Sequence, residues 1–90
     1  MSDLRPAADV AWTVETGGIA LWRTGALPTF LPYPEAAAWD LVSRGVSRAR
    51  TIRLLAAIWA TGEEDAERRL LAMLDLWRHR GFVESESTSG

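Results

Sequence analysis

The chain has no cysteine and no lysine, a single histidine and no long apolar run. Without cysteine it forms no disulfide and offers no thiolate to a metal. Its apolar runs fall far short of the ~18 residues a membrane-crossing helix needs. The opening MSDLRPAADV lacks the basic-then-apolar pattern of a secretory signal. A cytoplasmic location with no membrane partner is therefore expected. The absence of lysine leaves ten arginines against twelve acids, for a net charge of −2. Recognition of a phosphate backbone rests on a basic face, so this balance argues against a nucleic-acid partner.

Motifs for catalysis are missing as well. His79 lies between Arg78 and Arg80 at the end of an apolar-periodic stretch, where a solvated charge suits a helix C-terminus. Gly17-Gly18 has no lysine of a phosphate-binding loop after it. The serines near the end have no neighbouring base. No catalytic residue, no metal site and no cofactor is expected, and the chain reads as a non-enzyme. Ninety residues make one domain.

What the chain has in abundance is tryptophan, five in ninety residues. Residues 1–9 read as a flexible lead-in. From Val10 to Glu15 the pattern alternates, with Val10, Trp12 and Val14 on one face, as in a half-buried strand. Gly17-Gly18 makes a turn. Residues 19–23 give a second strand and residues 27–31 a third. The third carries Pro28 and is followed by Pro32, which suits an edge.

Pro34 fits the first position of a helix running to Arg44, and Gly45 its left-handed end. Ser47 can cap a second helix over residues 48–60, with Ile52, Leu55, Ala56 and Trp59 as its apolar stripe. Thr61-Gly62-Glu63-Glu64 has the form of a capping box. The third helix has the stripe Leu70, Met73, Leu74, Trp77 and stops at Gly81. Trp39, Trp59 and Trp77 are expected in the core, and one of Trp12 and Trp22 faces it. Residues 84–90, ESESTSG, read as a disordered tail.

The expected fold is α+β, a three-stranded antiparallel sheet followed by a three-helix, winged-helix-like bundle. Such a bundle also fits a DNA-binding regulator, with Arg68, Arg69, Arg78 and Arg80 of the third helix meeting phosphates. Glu63, Glu64, Asp65 and Glu67 oppose that alternative, because they fill the turn that would approach base edges.

Residues 30–59, FLPYPEAAAWDLVSRGVSRARTIRLLAAIW, and residues 65–83, DAERRLLAMLDLWRHRGFV, resemble the PqqD-like family of RiPP recognition elements. The resemblance covers residues 10–83. It lies in the strand entering Ala36, Ala37 and Ala38 with Trp39 and Leu41, in Gly45 with Ser47, and in Gly81-Phe82-Val83. It implies a non-catalytic chaperone of RiPP biosynthesis that binds the leader of a precursor peptide as an added strand. The peptide is then presented to a modifying enzyme, often a radical SAM protein. By the same resemblance the leader lies beside the third strand and against the third helix. Leu27, Thr29, Phe30 and Leu31 would line one side, and Arg68, Leu71, Asp75 and Arg78 the other. The family's Leu-Asn pair before the first helix is Leu31-Pro32 here, which points to a peptide pathway other than pyrroloquinoline quinone synthesis. Proline removes a donor there and limits how far a peptide can pair.

Overall fold

The alternation from Val10 onward does form a sheet. In the computed structural model, which describes residues 4–85, the order is β1 (Leu4–Pro6), β2 (Val10–Glu15), β3 (Gly18–Arg23), β4 (Thr29–Pro32), α1 (Ala36–Ser43), α2 (Arg48–Ile58), α3 (Glu63–His79) and β5 (Val83–Ser85). Strands β2, β3 and β4 make a three-stranded antiparallel sheet in that order. Opposite residues are Trp12 and Leu21, Val14 and Ile19, Ile19 and Leu31, and Leu21 and Thr29. One face, built from these residues and Val10, turns toward the helices. The other carries Ala11, Thr13, Ala20, Trp22 and Phe30.

The ends of the described chain meet, which the sequence reading did not foresee. Leu4–Pro6, in the expected loose lead-in, pairs antiparallel with Val83–Ser85, which includes the first residues of the expected disordered tail. The Ala7 N–H adds a bond to the Phe82 carbonyl at 2.9 Å. Strands this short carry no periodic signal, and their partner lies at the far end of the sequence. The rest of that tail, residues 86–90, and residues 1–3 lie outside the described residues.

Helix boundaries shift by a residue or two. Strand β4 begins at Thr29, so Leu27 stands in the loop before it. Helix α1 begins at Ala36, and Pro34 lies in the preceding turn, with its carbonyl accepting from Ala37 N–H at 3.1 Å. Ser47 caps α2 as expected, its Oγ accepting from Arg50 N–H at 3.3 Å. The N-cap of α3 is Gly62 in place of Thr61. Helix α3 thus starts one residue later, and the Thr61 hydroxyl donates to the Asp65 carboxylate at 2.9 Å.

All three helices close with the same pair of bonds. Val46 N–H reaches the Leu41 carbonyl, Thr61 N–H the Ala56 carbonyl and Phe82 N–H the Trp77 carbonyl. Each is the long bond of a Schellman ending, which needs a left-handed residue just before the donor. Gly45 and Gly81 supply it at φ of +74° and +77°, whereas the second ending uses Ala60 at φ +55°.

The core lies between the sheet and the helices. Trp39 is fully buried, as are Leu21, Leu55, Leu70 and Ile19. The rings of Trp12 and Trp77 both meet Trp39 edge to face, with centroids 5.4 and 5.2 Å away. That geometry suits the aromatic quadrupole. Trp12 is therefore the strand tryptophan that faces the core, and Trp22 stands on the outer face. Thr51 is buried too, outside the expected stripe of α2, and its hydroxyl reaches the Val46 carbonyl at 3.4 Å.

Candidate peptide-binding edges

A three-stranded sheet leaves two strand edges, here those of β4 and β2. Their backbone groups follow from the register. Tyr33 N–H donates to the Gly17 carbonyl at 2.9 Å, directly beyond the β3–β4 ladder. Hydrogen-bonded pairs alternate with non-bonded ones along an antiparallel ladder. The next bonded pairs are therefore Ile19 with Leu31 and Leu21 with Thr29. Residues 28, 30 and 32 direct their backbone groups to the free edge. Two of these are proline, so Phe30 carries the one N–H that β4 offers outward. Proline at such positions is a way of blunting an edge.

On the other side, Gly18, Ala20 and Trp22 turn their backbone groups toward β2 and pair with Glu15, Thr13 and Ala11. Val10, Trp12 and Val14 are left facing outward. The Val10 N–H is taken by the Ala7 carbonyl at 3.1 Å. The N–H groups of Trp12 and Val14, and the carbonyls of Val10, Trp12 and Val14, remain on this edge. No proline or glycine interrupts β2.

The residues expected to line a groove fall into separate places. Leu27 is 88% exposed in the loop before β4, and Phe30 is 52% exposed on the outer face. The ring of Phe30 lies over Gly18, where a β-carbon would collide with it and with the Leu31 carbonyl. Thr29 and Leu31 stand on the opposite face, toward the helices, and Leu31 packs against the core. One groove along α3 can thus take the Thr29 and Leu31 side of the strand but not Phe30. The start of β4 and the end of α3 are joined by Arg80 Nη1, which donates to Thr29 Oγ1 at 3.5 Å. Arg23 adds a bond to the Arg80 carbonyl at 3.0 Å and pairs with Asp9 at 3.3 Å.

On α3, Arg68, Leu71, Asp75 and Arg78 form an exposed stripe beside the buried Ala66, Leu70, Leu74 and Trp77. Leu71 is 42% exposed, which places it off the core stripe as the sequence suggested. Arg68 is held by Asp65 at 3.1 Å, and Arg69 approaches the same carboxylate at 3.7 Å. The Thr61 hydrogen bond lowers the Asp65 pKa from its ordinary value; desolvation opposes it, and the charges of Arg69 and Arg68 lower it further. Asp75, Arg78 and His79 border a shallow groove. Among the described residues no cluster of three or more histidine, aspartate or glutamate side chains is placed to hold a metal.

The residues that sequence reasoning passed over are on β2. Val10, Trp12 and Val14 all face the helix side, yet only Val10 is buried. Trp12 is 38% exposed and Val14 65%. The helix-side face of β2 is thus left partly uncovered at Trp12 and Val14, which form an apolar shelf there. Alternation predicts a shared face for these residues but cannot tell whether the opposing layer reaches it. No family model, curated protein or solved structure matches the chain.

Proposed function

We propose that the protein is a non-catalytic adaptor that captures the leader segment of a ribosomally made precursor peptide as an added β-strand. It then presents that peptide to a modifying enzyme of radical SAM type. The observation that carries this reading is the small sheet, with strand edges unpaired among the described residues and apolar side chains exposed beside them. Strand addition satisfies unpaired backbone groups, and alternate side chains give selectivity. The resemblance of residues 30–59 and 65–83 to PqqD-like recognition elements supports the same function. In the same reading α1, α2 and α3 form the winged-helix-like bundle that the resemblance implies. In this reading the protein acts in the cytoplasm, where precursor peptides are made.

The DNA-binding alternative gains no support from the helix that would have to carry it. The first turn of α3 is acidic, with Glu63, Glu64 and Asp65, and two of its arginines are engaged by Asp65.

The test is reconstitution of peptide modification from the precursor and enzyme encoded beside this protein's gene. Omitting the protein should slow modification of the full precursor and leave a leaderless core peptide unaffected. Equal rates with and without the protein would sink the reading.

A further inference from the structure

We infer that the peptide enters at the free edge of β2 and not at β4, with a basic side chain facing Glu15. This inference rests on the adaptor reading and concerns where that reading places the strand. The two edges differ in their donors. Strand β4 presents one outward N–H, from Phe30, between Pro28 and Pro32. Strand β2 presents two, from Trp12 and Val14, with three carbonyls between and beside them. Edges that must stay free are usually blunted by proline, charge or a bulge. Here β4 carries that protection, while β2 has six residues, no proline and a continuous ladder to β3.

The side chains at β2 agree with its backbone. An added strand would lay alternate residues against Trp12 and Val14 on the helix side, covering the apolar shelf the helices leave open. Aromatic and β-branched cross-strand pairs suit those positions. On the outer face it would meet Ala11 and Thr13, which are small and leave room for a larger side chain. Charge selects further. Asp9 is matched by Arg23 at 3.3 Å, but no ion pair among the described residues includes Glu15. An arginine or lysine opposite Glu15 would complete that end of the edge. The occupant is thus an extended peptide of alternating β-branched and polar residues with a basic flank.

Amide hydrogen exchange on the intact protein tests this, using a synthetic peptide of alternating valine and threonine with arginine at both ends. Slowed exchange at Trp12 and Val14, with Phe30 unchanged, is the expected result. Val14→Pro should weaken binding about tenfold, roughly the loss of one backbone hydrogen bond. Phe30→Pro should leave the affinity in place. Glu15→Lys, at an exposed position with no ion pair among the described residues, should weaken binding several-fold, an effect that fades at high salt. Protection of Phe30 instead of Trp12 and Val14 would overturn the β2 assignment and leave the adaptor reading standing. Protection of neither edge by this peptide or by the precursor would overturn both. Protection of Trp12 and Val14 without peptide, rising with protein concentration, would overturn the inference in favour of a second copy on that edge.

Discussion

Trp39 meets Trp12 edge to face, with ring centroids 5.4 Å apart and planes at 80°. This contact fastens the first strand of the main sheet to α1, and the matching contact with Trp77 fastens α1 to α3. The indole N–H of Trp39 is buried and has no hydrogen-bond partner among the described residues. One side chain thus joins three elements while carrying an unsatisfied donor.

Replacing Trp39 by alanine should destabilise the domain by about 3–5 kcal/mol. A domain of this size has on the order of 5 kcal/mol in hand, so that variant should be largely unfolded. Trp39→Phe should cost much less. It keeps an aromatic ring at the site and removes the unpaired N–H, whose burial alone costs about 1–3 kcal/mol. Urea unfolding of the two variants measures the difference.

Ala60 holds a left-handed conformation that glycine adopts freely, at φ +55°. Ala60→Gly should therefore stabilise the ending of α2. The left-handed strain removed is about 1–2 kcal/mol, offset in part by the greater freedom of glycine in the unfolded chain. A net gain of about 0.5–1 kcal/mol should raise the Tm by a few degrees. An unchanged or lower Tm would contradict the account of that turn.

Gly18 should tolerate no side chain. A β-carbon there would collide with the Leu31 carbonyl and the Phe30 ring. Gly18→Ala should loosen the pairing of β3 with β4, read as faster amide exchange at Leu31 and Tyr33 and a lower Tm. Gly25→Ala has open space for its side chain and serves as the control, being strained only through its φ of +79°.

Asp65 should titrate below its ordinary value because the Thr61 hydroxyl and two arginines favour its charged form. A lowered folded-state pKa gives stability that is complete above the unfolded value. It is lost as pH falls through the folded value. Thr61→Val should move the Asp65 titration upward toward the ordinary carboxylate range, as followed by carboxyl NMR. It should also reduce the acid sensitivity that this residue contributes.

The legible parts of the fold were local. Glycine marked two helix endings, Ser47 marked a cap, and alternation marked β2. The illegible parts depended on distant partners or on register. Leu4–Pro6 finds its partner at Val83–Ser85, and no pattern within three residues announces that. The left-handed Ala60 is masked because alanine normally signals helix. Pro28 and Pro32 were visible as edge residues. That they occupy the outward donor positions on either side of Phe30 follows only from the pairing of Tyr33 with Gly17. Likewise Leu71 could be placed off the core stripe from spacing alone, and strand alternation puts Phe30 and Leu31 on opposite faces, whereas the position of the helices on the Leu31 side needed three dimensions.

Calorimetric titration with the precursor peptide tests the central claim most directly. The account predicts saturable one-to-one binding in the nanomolar to low-micromolar range. A negative heat-capacity change should accompany it as the apolar shelf beside Trp12 and Val14 is covered. A titration without heat at several temperatures, with no change in the tryptophan signal, would contradict it.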